Sequence, residues 1–270
     1  MTINCVNSID NLTMELTLKY HIYKSQSPIW TFAIHDGHYI DKVLEPYLLL
    51  NTKDRLREED PFTSIIAELP TNQLIVSTSR FQTDLNRNVE NAIYLSPTQA
   101  WGLHVWHNEL PNKYIDELLN IYHTTYNTIK NHIKETIDRY GYFIILDIHS
   151  YNAKRLNKDQ EIDEVSDPQI NMGTYYNHKK WSNHIANYLK SLKSKKLYNQ
   201  SIDIRENVKF KGGNLAQEII KDFGEYGYVL SVEFRKDFMD EWTGEPNMEK
   251  IIACQKLLSD SLVDLQNPLL

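Results

Sequence analysis

The segment Phe143–Ile148 (FIILDI) constrains the fold more than any other part of the chain. It is a nearly continuous apolar run, which is typical of a central strand covered on both faces. A long amphipathic pattern, roughly Tyr114–Tyr140, precedes it and predicts a helix that ends at Gly141. A buried strand that follows such a helix indicates an α/β protein with helices packed on its sheet.

Other segments continue this alternation of strands and helices. Met14–Tyr23 alternates apolar and polar residues, which predicts a half-exposed strand near a sheet edge. Further strands are predicted at Ile29–Ile34, Leu74–Ser77 and Tyr228–Phe234, and further helices at Ile40–Leu50, Lys179–Lys193, Leu215–Phe223 and Met248–Leu265. The order predicts a three-layer α/β/α sandwich around a mostly parallel or mixed central sheet. Because no linker is visible in the 270 residues, we expect one domain over 1–270.

Composition excludes several classes of partner. The net charge is −7 and no long stripe of Lys and Arg offsets it, which argues against nucleic acid. No apolar run approaches the roughly 18 residues of a membrane helix, and the first residues lack a leader pattern. Cys5 and Cys254 are far apart and lack CxxC spacing, which argues against a disulfide scaffold or a thiolate metal site. We therefore expect a cytoplasmic protein with no membrane partner; the sequence leaves the oligomeric state open.

Chemically active side chains follow three of the predicted strands. His35 comes directly after one strand, His149 ends the central strand, and Glu233 lies near the end of the last. In open α/β sheets, ligands bind beyond the carboxyl ends of the strands. We therefore expect these three residues to meet at one rim of the sheet.

The histidines predict a metal site. His35 and His38 flank Gly37 in IHDGH, so both imidazoles can reach one ion; alone, this spacing also fits a turn histidine bonded to backbone. Burying the polar imidazole of His149 in an apolar strand costs free energy unless the ring is hydrogen-bonded or bound to a metal. Asp147 shares its strand face and either orients a ligand histidine or serves as a buried structural carboxylate. Three nitrogen ligands without a thiolate favour one Zn²⁺ ion with a position left for water.

Two further motifs predict the groups that act on a substrate. Glu233 lies in an apolar strand, where burial raises a carboxyl pKa toward values useful for a general base; an ion pair with Arg235 or a helix-capping role is the alternative. The segment RFQTDLNR carries Arg80, Asn86 and Arg87, and guanidinium groups bind carboxylates and neutralise oxyanions.

The same arginines also have a purely structural interpretation. Asp84 lies within the segment and Asp54 lies upstream of it, and either carboxylate can hold the guanidinium groups in place. Without the histidines and Glu233, this interpretation is the simpler one.

These motifs, taken in this order, resemble the zinc carboxypeptidase-like superfamily. Within it the chain is most similar to the N-formylglutamate amidohydrolase family, with the succinylglutamate desuccinylase and aspartoacylase group as relatives. The similarity runs from about residue 30 to 245. It includes DLNR, HS after the apolar strand, Tyr122-His123 in the long helix, Gly212-Gly213 before a helix, and VEFR.

The resemblance implies a zinc carboxypeptidase-like (phosphorylase/hydrolase-like) fold and a role for each matching residue. His35, His38 and His149 would bind zinc, although His38 stands where the superfamily's H-x-x-E pattern has glutamate, which leaves Asp36 as an alternative. Glu233 would activate water and Arg80 would polarise the scissile carbonyl. The residues that would contact the substrate are Asn86, Arg87, His123 and Gly213.

The sequence as a whole predicts a zinc-dependent amidohydrolase that acts on a small carboxylate substrate. The leading reaction is cleavage of N-formyl-L-glutamate to formate and glutamate. A metallocarboxypeptidase or a deacylase of another N-acyl amino acid is the alternative among enzymes. A catalytically silent metal- or ligand-binding member of the fold is the alternative outside enzymes.

Overall fold

The computed structural model describes residues 16–265. The strands in this range are β1 (Tyr20–Tyr23), β2 (Ile29–Ala33), β3 (Asn72–Val76), β4 (Phe143–Tyr151), β5 (Ile170–Gly173), β6 (Lys196–Leu197), β7 (Gln200–Ser201), β8 (Ile204–Glu206) and β9 (Gly227–Arg235). The helices are α1 (Thr52–Glu58), α2 (Thr63–Ala67), α3 (Asn112–Tyr140), α4 (Ser182–Ser194), α5 (Asn214–Phe223) and α6 (Met248–Ser261).

Seven of these strands form one mixed sheet in the order β1-β3-β2-β4-β9-β5-β8. Strands β3, β2, β4 and β9 run parallel, whereas β1 is antiparallel to β3 and β5 is antiparallel to β9. Strand β8 pairs in parallel with β5. The predicted mixed sheet is confirmed, and β1 lies at its edge as expected; Met14 and Glu15 lie outside the described residues.

Strand β4 is central because both of its faces are covered. Ile144 and Leu146 pack into a core formed with residues of α2, α4 and α6. Phe143 and Ile145 point to the opposite face and pack against α3 and α5. Successive side chains of a strand alternate between faces, so the continuous apolar run serves both layers at once.

The predicted helix at Ile40–Leu50 is wrong. Only a short 3-10 turn, Glu45–Tyr47, forms there. Pro46 lacks a backbone N–H and disrupts the interior of an α-helix, so the apolar spacing does not produce one. Helix α1 begins just beyond this segment, where the side chain of Asn51 accepts a hydrogen bond from the Asp54 N–H at 2.9 Å.

Among the helices of residues 16–265, none is long and apolar enough to cross a membrane. Cys254 is buried and carries a free thiol. Cys5 lies outside the described residues.

Candidate active site

A cavity of about 720 Å³ lies where β2, β4 and β9 end. These strands are parallel, so their carboxyl ends share one edge of the sheet. The cavity brings together most of the residues singled out in the sequence: His35, Arg80, Asn86, Arg87, His149, Gly213 and Glu233.

Three buried donors converge within this cavity. His35, Asp60 and His149 each offer a ligand atom, and these atoms lie within 4.8 Å of one another. Asp60 Oδ2 lies 2.9 Å from His149 Nδ1 and 3.4 Å from His35 Nδ1. The backbone N–H of Asp60 donates to the carbonyl of His35 at 2.9 Å, which holds the loop after α1 against the end of β2.

A second carboxylate lies behind each imidazole. His35 Nε2 is 2.8 Å from Asp84 Oδ1, and His149 Nε2 is 3.2 Å from Asp147 Oδ2. With its Nε2 hydrogen directed to Asp84, His35 presents the lone pair of Nδ1 toward Asp60. Carboxylates orient metal-binding histidines in the way that Asp84 orients His35, whereas the oxygens of Asp147 form no hydrogen bond within residues 16–265.

One nitrogen in the cluster points to a missing partner. His35 Nδ1 is buried and has no hydrogen-bond partner among residues 16–265. Buried polar atoms are nearly always satisfied, and a cation held between Nδ1 and the Asp60 carboxylate would satisfy this one. The donor set of two imidazoles and one carboxylate therefore fits a metal ion.

The charges within the cluster shift the pKa values of its own side chains. Burial by itself raises the pKa of Asp60, but the hydrogen bond and charge of His149 outweigh burial, with a smaller contribution from the nearby His35 ring, and lower that pKa. Burial likewise lowers the pKa of His149, but the neighbouring Asp147 and Asp60 raise it well above its usual value. The metal-free cluster therefore favours an ionised Asp60 and a protonated His149.

Glu233 lies beside the cluster. It pairs in register with His149 on the neighbouring strand. Burial raises the pKa of Glu233 to about 8; His149 opposes this shift, whereas Asp60 and Asp147 add to it. Arg235 instead contacts Asp237 and Glu164, which leaves Glu233 without the ion pair considered as its structural alternative.

Arg80 lies at the cavity wall and is fixed by Asp84. Its Nε and Nη2 donate to Asp84 Oδ2 at 3.1 and 2.7 Å. Tyr94 donates its hydroxyl to the same oxygen. Asp84 therefore joins Arg80 to His35, so the carboxylate considered as a structural partner also connects two residues of the site.

Asn86, Gly213 and Arg87 also line the cavity. Asn86 Nδ2 lies 3.4 Å from His149 Nε2. A Cβ on Gly213 would lie 2.1 Å from Asn86 Oδ1, so this close approach requires glycine. Arg87 lines the cavity with its guanidinium 5.9 Å from the ring centres of Tyr94 and Trp101, and within residues 16–265 no carboxylate forms an ion pair with it. Its guanidinium is therefore free to bind an anionic ligand.

The structure does not bring His38, Asp36 or His123 to the site. The His38 ring contacts the carboxylate of Glu59 and lies outside the cavity. Asp36 accepts a hydrogen bond from the Ser64 N–H at 3.2 Å, again away from the cluster. The H-x-x-H spacing does not determine which side chain turns inward, and the structure places Asp60 where we expected His38 or Asp36.

His123 is exposed on α3 and does not line the cavity. The neighbouring Tyr122 faces inward instead and donates its hydroxyl to the Arg87 carbonyl at 2.8 Å. Adjacent residues of a helix point in directions about 100° apart, so only one of the pair faces the sheet.

Asp60 is the residue that sequence reasoning missed. Its signal is the acidic run Glu58-Glu59-Asp60, which begins at the last residue of the short helix α1 and immediately precedes Pro61. The neighbouring sequence does not indicate which of the three carboxylates faces the site. Glu58 lines the cavity and Glu59 contacts His38, whereas only Asp60 reaches both site imidazoles.

Two imidazoles and a carboxylate, with another buried carboxylate beside them, are the donor chemistry of hydrolases that use a metal ion. The sequence profile of the N-formylglutamate amidohydrolase family matches residues 27–239, and the chain belongs to this family. The resemblance inferred from the motifs is thereby confirmed.

Two solved structures are similar over nearly the whole chain. One is N-formylglutamate amidohydrolase from Ralstonia eutropha, with a TM-score of 0.68, 15% identity and coverage of 91% of this chain and 95% of that one. The other is a gene product of Agrobacterium tumefaciens, with a TM-score of 0.62, 14% identity and coverage of 92% and 96%. At these identities the likeness establishes the shared fold. No curated protein matches the chain.

Proposed function

We propose that this protein is a zinc-dependent amidohydrolase that cleaves N-formyl-L-glutamate to formate and glutamate. The observation that carries the proposal is the convergence of His35, Asp60 and His149, with a carboxylate behind each imidazole. Membership of the N-formylglutamate amidohydrolase family supports the substrate.

His35, Asp60 and His149 would hold the zinc ion. Catalytic zinc sites use three protein ligands drawn from nitrogen and carboxylate oxygen, and they leave a position open. A bound zinc ion supplies a Lewis acid and makes water a stronger nucleophile near neutral pH. The same donors also suit Fe²⁺, so the metal has to be identified by analysis.

Glu233 would move the proton of the reaction. Water adds through its oxygen to the amide carbonyl carbon, and Glu233 takes the proton that the water gives up. The C–N bond then breaks, and Glu233 returns the proton to the leaving nitrogen. Glu233 has to be ionised to take the proton, and a metal ion beside it would favour that form; burial raises its affinity for a proton, which helps the carboxyl to hold it between the two steps.

Arg80 would stabilise the negative charge that develops on the carbonyl oxygen. Asp84 holds Nε and Nη2 of its guanidinium. The remaining Nη1 makes only a long contact, 3.4 Å, to the Glu58 carbonyl. This donor is the one available to a substrate oxygen.

Arg87 and Asn86 would bind the substrate carboxylate. Arg87 lines the cavity, and among residues 16–265 no carboxylate forms an ion pair with its guanidinium. Asn86 uses Oδ1 to accept the Leu215 N–H at 3.2 Å, which leaves its Nδ2 as a donor. A guanidinium and an amide N–H that line one cavity match the acceptor atoms of a carboxylate.

A deacylase for longer acyl groups is the second candidate, and the size of the cavity favours it. Cavities of about 300–1,000 Å³ accommodate drug-sized ligands. At about 720 Å³, this one has room beyond a formyl amino acid.

Metal analysis followed by a substrate panel tests the proposal. We expect near-stoichiometric zinc in the purified protein, loss of zinc in His149→Ala, and retention in His123→Ala, which changes an exposed histidine outside the cavity. The zinc-loaded protein is then offered N-formyl, N-acetyl and N-succinyl derivatives of glutamate, with N-formylglutamine as the test of the side-chain charge.

Each outcome of this experiment is decisive. Release of formate from N-formylglutamate supports the leading reaction, whereas faster cleavage of a longer acyl group selects the deacylase. Bound zinc without turnover of any carboxylated amide indicates a silent ligand-binding member. Absence of metal after reconstitution would refute the proposed metal site.

A further inference from the structure

Lys236 is a buried ammonium group that the proposed reaction does not use. It directly follows β9, lines the cavity and is only 2% exposed. A buried charge is costly unless it is hydrogen-bonded. Lys236 Nζ donates to the carbonyl of Arg57 at 2.6 Å and to that of Glu59 at 2.8 Å.

These carbonyls lie at the C-terminal end of α1. The last carbonyls of a helix have no partner within the helix and attract cations. Arg80 Nη1 reaches the intervening carbonyl of Glu58 at 3.4 Å. Three consecutive carbonyls therefore face two cationic side chains from other parts of the fold.

Asp60 is the next residue along the chain. Its N–H is bonded to the His35 carbonyl, so the segment is held from both sides. The backbone N–H of Lys236 donates to the Tyr151 carbonyl at 3.1 Å, which ties the end of β9 to the end of β4. Lys236 thus connects the strands that carry Glu233 and His149 to the loop that carries Asp60.

We propose that Lys236 is the positioning residue for Asp60. Its ammonium fixes the end of α1 and so sets the place of the Asp60 carboxylate between the two imidazoles. The inference rests on the proposed function in one respect: it takes Asp60 as a metal ligand. Loss of the ammonium leaves the Glu59 carbonyl unsatisfied, although Asn152 Nδ2 still donates to the Arg57 carbonyl at 2.8 Å, and the loop beside Asp60 then relaxes away from the cluster.

Lys236→Met tests this inference because it removes the charge and keeps an unbranched side chain. Lys250→Met is the matched control: Lys250 Nζ also donates to a backbone carbonyl, that of Asp237 at 3.0 Å, but it lies outside the cavity. Hydrogen exchange of the peptide 57–63 is measured in metal-free protein. Zinc affinity is measured separately by competition with a chelator.

We expect Lys236→Met to speed exchange in peptide 57–63 by tenfold or more and to weaken zinc binding by about 10–100-fold. Lys250→Met should change neither. If Lys236 acts through Asp60, it should have little further effect on zinc binding in an Asp60→Asn background. A purely structural role would give the same loss in both backgrounds.

Two results would overturn the inference. Unchanged exchange in peptide 57–63 would show that Lys236 does not hold the segment. Faster exchange with unchanged zinc affinity would show that the segment is held but that Asp60 does not depend on it. Failure of the unmodified protein to bind zinc would refute the proposed function alone, because the exchange comparison needs no metal. If Lys236→Met does not fold, Lys236→Gln, which keeps one donor, is measured in the same way.

Discussion

Replacing Asp84 by asparagine is expected to destabilise the protein strongly. The Asp84 carboxylate accepts hydrogen bonds from His35, from Nε and Nη2 of Arg80, from the Asn86 N–H at 2.7 Å and from the Tyr94 hydroxyl. Asparagine is neutral and keeps one oxygen, and its amide would direct hydrogens at groups that are themselves donors. Arg80 would lose the carboxylate with which it forms an ion pair at 2.7 Å.

The burial of the Arg80–Asp84 ion pair determines how much the free energy of unfolding should fall. The side chains of Arg80 and Asp84 are 11% and 0% exposed, so solvent screens their interaction little. Removing one partner of a buried ion pair costs about 3–5 kcal/mol, because the other charge is left uncompensated. Folded domains are stable by about 5–15 kcal/mol, so the free energy of unfolding should fall by a large fraction.

Urea unfolding of metal-free protein at pH 7 measures this loss. Asp138→Asn is the control, since Lys134 and Asp138 have the same i,i+4 spacing and the same 2.7 Å separation as Arg80 and Asp84 but are 63% and 62% exposed. We expect Asp138→Asn to leave the unfolding curve essentially unchanged. Equal losses in the two variants would refute the argument that burial makes the Asp84 pair strong.

Acid should produce part of the same effect in the unmodified protein. Burial raises the pKa of Asp84, but the charge of Arg80 outweighs it and holds that pKa well below its usual value. A carboxyl with a lowered folded-state pKa stabilises the fold above its unfolded pKa of about 3.9, and this stabilisation is lost as the pH falls further. The urea midpoint should therefore decrease below about pH 4, and a midpoint independent of acid would contradict this assignment.

Three further predictions concern the proposed reaction. Glu233→Gln should lower kcat by about 10²–10⁴-fold while elemental analysis shows unchanged zinc, and near-normal turnover would refute the proton-transfer role. Zinc binding should tighten with rising pH and release a proton, because the neighbouring carboxylates raise the pKa of His149. Calorimetry in two buffers of different ionisation enthalpy should detect the released proton. A binding enthalpy that is the same in both buffers would contradict this prediction. Arg87→Met should raise KM by about 10–100-fold with little change in kcat, whereas His123→Ala should change neither constant; an unaltered KM in Arg87→Met would exclude Arg87 from carboxylate binding.

Local pattern was sufficient for the long elements of the fold. The apolar run that became β4 and the amphipathic pattern of α3 carry their own signal, since burial on both faces and helical spacing are visible in consecutive residues. The pattern failed at Ile40–Leu50, where apolar residues are buried without helical backbone around Pro46. The short strands β5 and β8 had too few residues for a recognisable period.

The sequence alone determined that His35, His149 and Glu233 would share one rim, because each follows or ends a parallel strand and such ends meet at one edge. Only the tertiary structure decided that Asp60 completes the cluster. Its position depends on contacts with His35 and, through the end of α1, with Lys236, 176 residues further along the chain. Strand ends are set by local pattern, whereas a loop side chain is placed by the distant groups that satisfy its backbone.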